Sequence, residues 1–327
     1  MASMQKYFWT SEKNRNHANC IPDSFRMLIV GRSGCGKTSL LMRLLLEPHL
    51  LDYNKLFIFG RSLHQKEYQI LKAGFENSLT KELIIQILKH NDMINDLEDD
   101  PANVCKAFSM ELDDEDKGDI SIEMYEKGAD VPDPNLFDSK DKNLIVFDDI
   151  MCDKNQSAAD NFYTRGRHNN VDSIYISQNF YKLPRQTIRS NANFMIFFKL
   201  SPVDVNHVFY DSDASVDFKD ISEFKDFCNK AWQNKYGYIV IDKDKQDLKQ
   251  RYRTQLELEK EPTFRMKVPE DPVVIEKSVT SKEKSTKPRA SKKCEMCDIE
   301  MLSSSHSKHT KSKSHLKKTS IKQDNNK

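Results

Sequence analysis

The chain has 327 residues, of which 38% are hydrophobic and 31% charged, with a formal net charge of +1, so it is long enough for one large domain and a tail. No run of about 18 apolar residues occurs, and the first residues lack the apolar core of a secretion signal, so we expect neither a membrane span nor secretion. The seven cysteines, an odd number, favour a reduced intracellular protein over a disulfide framework.

The charge is distributed unevenly along the chain. Residues 275–327 carry 14 Lys and Arg against 6 Asp and Glu, a net charge of +8, which leaves −7 on the rest. A basic tail favours an acidic partner, and nucleic acid is the first candidate. The alternative is a solvated Lys-rich tail that binds nothing.

The pattern of apolar residues predicts strands that alternate with helices. The predicted strands are 27–30, 56–59, 144–149, 173–177, 193–199 and 236–241. The predicted helices are 40–47, 62–73, 80–90, 155–166, 184–190, 202–210 and 218–232. This alternation predicts a three-layer α/β fold with a mostly parallel sheet.

An acidic stretch, residues 91–143, interrupts this pattern. Asp and Glu dominate there, and the hydrophobic periodicity is weak. We predict a mostly exposed insertion with one pair of strands near residues 107–112 and 120–125, and we assign it no chemical role.

The first strand runs into Gly31-Arg32-Ser33-Gly34-Cys35-Gly36-Lys37-Thr38-Ser39, which fits G-x-x-x-x-G-K-[ST] between a strand and a helix. Glycines let backbone N–H groups surround phosphates, and the helix N-terminus adds positive potential. We expect this segment to bind ATP, with Lys37 at the β- and γ-phosphates and the Thr38 hydroxyl on Mg²⁺. The flanking strand and helix argue against a chance Gly-rich turn.

The apolar run 144–147 ends in two acidic residues, Asp148 and Asp149. This pattern predicts the second half of an ATP site, in which Asp148 holds Mg²⁺ and Asp149 polarises the attacking water. Adjacent carboxylates repel each other unless a cation compensates them. An exposed Asp-Asp turn is the alternative, and the P-loop upstream disfavours it.

Two further features follow the acidic pair. Gln178 ends the next strand, where its amide would face the γ-phosphate, orient water and sense the nucleotide state. Arg165 and Arg167 end the intervening helix, and one of them would act as an arginine finger across a subunit interface. Surface cations or a DNA-facing loop are the alternatives, and the sequence does not choose between the two arginines.

Four segments together resemble the FtsK/HerA superfamily of P-loop motors, and within it the genome-packaging ATPases of poxviruses, other large DNA viruses and Polinton (Maverick) transposons. These segments are 31–39, 144–149, 164–178 and 183–191. The resemblance covers roughly residues 20–255 and implies a RecA-like domain in a homo-oligomeric ring that drives double-stranded DNA into a capsid. It also implies capsid proteins as partners and a virion-assembly site or the nucleus as the location. Many family members carry Glu where this chain has Asp149.

The tail contains a second motif, in which Cys294-x-x-Cys297 is followed after eleven residues by His309 and after five more by His315. Two Cys and two His at this spacing predict a Zn²⁺ site, with His306 as a competitor of His309. The motif resembles the matrin-type finger, which implies RNA or double-stranded nucleic acid as a partner. Folding of so short a segment would depend on the metal. The alternative is a disordered tail with incidental cysteines.

We therefore expect a flexible arm (1–23), a P-loop ATPase domain (24–260), a basic disordered linker (261–292), a zinc finger (293–318) and a tail (319–327). The expected function is an ATP-hydrolysing double-stranded DNA translocase that packages a viral or virus-like transposon genome. The alternatives are a nucleotide switch or kinase, and a non-motor nucleic-acid-binding protein. The chain has neither the Asn-Lys-x-Asp of GTPases nor the Leu-Ser-Gly-Gly-Gln of ABC ATPases.

Overall fold

The computed structural model describes residues 15–93, 100–110, 112–150, 157–256, 291–293 and 300–302. The chain divides into two compact units, Met1–Pro262 and Thr263–Lys327. Within the described ranges, no helix combines the length and hydropathy that a membrane span requires.

The first unit is built on one sheet of eight strands. They are β1 Arg26–Val30, β2 Lys55–Gly60, β3 Ser121–Tyr125, β4 Asn143–Asp148, β5 Val171–Ser177, β6 Phe194–Phe198, β7 Tyr238–Asp242 and β8 Tyr252–Arg253. Their order in the sheet is β3-β2-β4-β5-β1-β6-β7-β8. Pairing is parallel from β3 to β6, and β7 and β8 are antiparallel. Every residue of β4, β5 and β6 is buried, as is typical of apolar strands with helices on both faces.

Helices cover both faces of this sheet. They are α1 Lys37–Leu46, α2 Lys66–Glu76, α3 Lys81–Met93, α4 Pro101–Ser109, α5 Ser157–Arg165, α6 Pro202–Asp211, α7 Ala214–Asp217, α8 Ile221–Trp232 and α9 Leu248–Arg251. Along β1, Met27 and Ile29 join the core beneath α1 to α4, while Leu28 and Val30 join the core beneath α5, α6 and α8. This period of two on a buried strand confirms the predicted three-layer α/β fold.

The acidic stretch contributes more structure than the sequence predicts. Residues 107–109 belong to α4, so the strand predicted near 107–112 is wrong. Asp100 caps this helix by accepting a hydrogen bond from the N–H of Ala102 at 3.2 Å, and Pro101 occupies the first turn. β3 exists, but it pairs in parallel with β2 and extends the main sheet instead of pairing with a strand near 107–112.

Residues 15–23, predicted to belong to a flexible arm, pack on the domain instead. The side chain of Arg15 is 1% exposed and donates to the carbonyls of Asn143 (3.0 Å) and Asn170 (2.7 Å). Its guanidinium lies 3.3 Å from the carboxylate of Asp172, which is also buried. This arginine therefore ties the amino-terminal segment to the starts of β4 and β5.

In the second unit the structure describes two short strands, β9 Ser291–Lys293 and β10 Glu300–Leu302. They pair antiparallel, with Lys293 opposite Glu300. Four residues predicted to bind zinc lie outside the described residues, namely Cys294, Cys297, His309 and His315. Within the described ranges, no group of three or more His, Cys, Asp or Glu side chains could hold a metal ion.

The buried ion pair of Arg15 gives a prediction about stability. Arg15→Ala removes the arginine cation from the buried Asp172 carboxylate. That carboxylate keeps the N–H of Phe25 (3.0 Å) and the ring of His17 (3.1 Å) as partners, so we expect a loss of about 3 kcal/mol of unfolding free energy. Lys72→Ala is the control, because Lys72 forms an exposed pair with Glu76 at 3.8 Å and its loss costs about 0.5 kcal/mol or less. Urea unfolding measures both variants, and a loss below about 1 kcal/mol for Arg15→Ala would contradict the anchoring role.

Candidate nucleotide site

The turn between β1 and α1 has the backbone that a phosphate loop needs. Gly34 and Gly36 adopt φ angles of +72° and +101°, which side-chain-bearing residues rarely adopt. Gly36 is the N-cap of α1 and has no side chain to cap it, so the first N–H groups of the helix are left for an outside acceptor. The N–H of Gly31 donates to the carbonyl of Ser177 at 3.1 Å, which fixes the start of the turn to the end of β5.

Lys37 lies across this turn. Its ammonium donates to the carbonyls of Gly31 (2.7 Å) and Arg32 (2.9 Å), so the positive charge is held beside the loop backbone. Burial raises the pKa of the Cys35 thiol, which favours its neutral form. Cys35 is therefore a packing residue within the loop.

A cavity of about 650 Å³ opens at the carboxyl edge of the parallel strands. From the predicted site, its lining includes Ser33, Gly34, Gly36, Lys37, Thr38, Ser39, Asp148, Asp149 and Gln178. Gly31, Arg32 and Cys35 belong to the same turn but do not line the cavity. The ends of β4, β5 and β1 meet at this edge, which is where ligands bind in parallel α/β sheets.

Asp148 is the last residue of β4 and is only 7% exposed. The phenol of Tyr68, from α2, donates to its Oδ2 at 2.6 Å. Burial raises the pKa of Asp148, and the nearby charge of Asp149 raises it further, whereas the Tyr68 hydrogen bond and the charge of Lys37 lower it. A carboxylate in this position is stabilised by any cation that enters the cavity.

Asp149 has a left-handed backbone with φ of +53°, so the chain turns sharply at the end of β4. Its Oδ1 lies 3.4 Å from Nε2 of Gln178, a long hydrogen bond. The structure thus brings together the two residues that the sequence places at adjacent strand ends.

The residues present fit both Mg²⁺ and a nucleotide. The Thr38 hydroxyl and the Asp148 carboxylate line the same cavity as Lys37, and Mg²⁺ prefers such oxygen ligands together with phosphate. The loop supplies N–H groups and a cation for the phosphates.

The two predicted finger arginines lie at the opposite edge of the sheet. Arg167 lines a second cavity, of about 310 Å³, together with Arg26 at the start of β1. The five residues of β1 separate this edge from the nucleotide cavity by about 16 Å. Arg165 donates to Oδ1 of Asn161 at 2.5 Å and lies 3.8 Å from Asp133. Neither arginine is brought to the nucleotide cavity of its own subunit.

Sequence reasoning missed several residues at the cavity. Among those that line the cavity are Ser62, Gln65, Tyr236 and Tyr238. Tyr68 does not line the cavity but contacts Asp148. Tyr68 occupies a buried helical position, and in the sequence such a tyrosine looks like any other core residue. Tyr236 precedes β7, and its ring lies 3.3 Å from where a Cβ on Gly36 would stand.

The family model described as "Poxvirus A32 protein" matches residues 129–262. The match includes Asp148 and Asp149 at the end of β4, both candidate arginines and Gln178, and it begins after the P-loop. It ends at the residue where the first compact unit ends. No curated protein matches the chain.

Several solved structures align with most of the chain. The DNA-packaging ATPase B204 from Sulfolobus Turreted Icosahedral Virus is 16% identical over 70% of this chain and 96% of its own, with a TM-score of 0.41. The genome packaging NTPase B204 from Sulfolobus turreted icosahedral virus 2, solved with AMPPCP, is 12% identical over 71% and 98%, with a TM-score of 0.39. VirB4 of Thermoanaerobacter pseudethanolicus is 11% identical over 72% and 90%, with a TM-score of 0.39.

The match to the poxvirus family confirms the resemblance that the sequence motifs indicate. The matched residues include Asp148 and Asp149 but not the P-loop. The P-loop geometry is shown instead by the turn after β1 and by the parallel sheet on which it stands. The chain is therefore a P-loop ATP hydrolase related, over residues 129–262, to the poxvirus A32 protein family.

Proposed function

We propose that this ATPase is the motor subunit that moves double-stranded DNA into a capsid during genome packaging, at the site of virion assembly. The observation that supports this function is the convergence of Lys37, Asp149 and Gln178 on one cavity in a chain related to the poxvirus A32 proteins. The genome would belong to a virus or to a virus-like transposon, and capsid proteins would be the partners.

The predicted site residues of the cavity have distinct roles in hydrolysis. The loop N–H groups and Lys37 would bind the phosphates, and Thr38 and Asp148 would hold Mg²⁺, which would neutralise phosphate charge. Asp149 accepts the proton of the attacking water. The amide of Gln178, 3.4 Å from that carboxylate, orients Asp149 and the water.

Of the two candidate arginines, Arg167 suits the role of a finger for a neighbouring subunit better than Arg165. Arg165 is engaged within its own subunit by Asn161 and by the Asp133 carboxylate. Arg167 instead faces the second cavity at the amino edge of the sheet. In a ring, this edge of one subunit would meet the nucleotide edge of the next.

The second cavity has the charge that such a role requires. Three cations, Arg26, Arg167 and Lys243, line it with one acid, Asp244. Burial lowers the pKa of Arg26, and the charge of Arg167 lowers it further. Within the described part of the chain, Nε of Arg26 is buried without a hydrogen-bond partner. An anion such as the neighbour's γ-phosphate would relieve this repulsion.

We also propose that the second unit contains a zinc finger, residues 293–318, with Cys294, Cys297, His309 and His315 as ligands. The pairing of β9 with β10 supports it, because these strands flank the segment that contains both cysteines. A short hairpin is a common carrier of two zinc thiolates. The surrounding lysines would contact the phosphates of DNA or RNA.

The decisive experiment measures ATP turnover with and without double-stranded DNA, alongside the native mass of the assembly. We expect a homo-oligomer whose turnover rises with DNA, and Lys37→Ala to abolish turnover while zinc content stays unchanged. A monomer with DNA-independent turnover would favour the non-motor nucleic-acid-binding alternative. Unchanged turnover in Lys37→Ala would contradict the P-loop assignment itself.

A mixing experiment tests the trans role of Arg167. We expect Arg167→Ala to lower DNA-stimulated turnover by about 10³-fold and Arg165→Ala to change it by less than about threefold. Because a Lys37→Ala subunit keeps its arginine, mixing it with the Arg167→Ala protein should restore part of the turnover. If the mixture stays inactive, the finger does not act across the interface.

Deletion of residues 276–327 tests the second unit. The truncated protein should bind nucleic acid more weakly at moderate salt, because it loses most of the basic tail, while its DNA-independent hydrolysis is kept. Fluorescence anisotropy with labelled double-stranded DNA and RNA measures this. Equal affinity with and without the tail would remove the finger from the proposed function.

A further inference from the structure

We propose that Tyr68 is a positioning residue for the metal site, because its phenol fixes the orientation of the Asp148 carboxylate that would hold the cation. This inference rests on the proposed ATP site and adds a residue to it. Tyr68 comes from α2, far from either nucleotide motif in the sequence.

The contact is short, buried and between complementary groups. The phenol oxygen lies 2.6 Å from Oδ2 of Asp148, in the range of hydrogen bonds to charged acceptors. Tyr68 is fully buried and Asp148 is 7% exposed, so water does not compete for this bond. With Oδ2 engaged, Oδ1 is the oxygen left to face a cation or its water shell.

The backbone of Asp148 is fixed independently of its side chain. β2 pairs with β4 so that Gly60 lies opposite Asp148. A Cβ on Gly60 would stand 3.0 Å from the Asp148 carbonyl oxygen, so the two strands meet as closely as a glycine allows. Strand pairing leaves the side-chain torsions of Asp148 free, and the hydrogen bond from Tyr68 restrains them.

The helix that carries Tyr68 is itself held in place. α2 packs against α3, α4 and β3, and the thiol of Cys105 in α4 lies 3.9 Å from the carbonyl of Ile70. Leu71 and Phe75 are buried in the same core. The acidic stretch, through α4 and β3, thus supports the helix whose phenol contacts Asp148. This gives a structural role to a segment for which the sequence suggested none.

A purely structural tyrosine would also be buried and hydrogen-bonded, and Tyr53 is one. Its phenol donates to the carbonyl of Leu45 at 2.7 Å, with no carboxylate involved. Tyr53→Phe therefore removes a buried phenol hydrogen bond from the same domain without touching the nucleotide cavity. It is the matched control for Tyr68→Phe.

The test measures metal binding directly. The full-length protein is saturated with AMPPCP, and Mn²⁺ affinity is measured by electron paramagnetic resonance, together with AMPPCP affinity in the absence of metal. We expect Tyr68→Phe to weaken Mn²⁺ binding by about tenfold and to leave metal-free AMPPCP affinity within about twofold. Tyr53→Phe should leave both unchanged.

A double variant shows whether Tyr68 acts through Asp148. Asp148→Asn should weaken Mn²⁺ binding, and adding Tyr68→Phe should cause no further loss. Equal Mn²⁺ affinity in Tyr68→Phe and wild type, or additive losses in the double variant, would overturn the proposal. If the wild type binds no AMPPCP at all, it is the proposed ATP site that fails.

Discussion

The burial of one carboxylate governs the arrangement of the nucleotide site. Asp148 ends an apolar strand that is covered on both faces, and an unpaired charge in such a place costs several kcal/mol. The structure offsets this cost with a phenol donor from α2 and with the charge of Lys37. A cation that enters the cavity would supply the remaining compensation.

The parallel sheet divides the chemistry of the domain between its two edges. The carboxyl edge collects the acidic residues and the phosphate loop, because β4, β5 and β1 are neighbours that end there. The amino edge collects Arg26 and Arg167, and Lys243 joins them because β7 runs antiparallel to β6. The cavity at the amino edge is lined by three cations and one acid, whereas the carboxyl edge carries both the acidic pair and the phosphate loop, so the two edges differ in the charges they present.

The fold and half of the site follow from local patterns, and the remainder depends on contacts that are distant in sequence. Two features are predictable from the sequence: the strand, loop and helix around residues 31–39, and the apolar run before Asp148. In each of them the residues that form the motif are neighbours in the sequence. The burial of Arg15 is not predictable in this way, since its partners lie 128 and 155 residues away along the chain. The partner of β3 is not predictable for the same reason: an edge strand with an exposed pattern does not indicate which strand it pairs with. The sequence does not indicate the contact of Tyr68 with Asp148, because the two residues are 80 positions apart along the chain.

The left-handed backbone of Asp149 bears on the choice of residue at this position. Asp adopts that conformation several-fold more readily than most residues with a Cβ, since its short side chain can hydrogen-bond locally. Lengthening the side chain to Glu would extend its reach into the cavity but lose this conformational advantage. At this sharp bend, the shorter carboxylate of Asp149 is held by the Gln178 amide. A longer Glu side chain could reach into the cavity without that contact. Asp at position 149 therefore suits both the left-handed turn and the contact with Gln178.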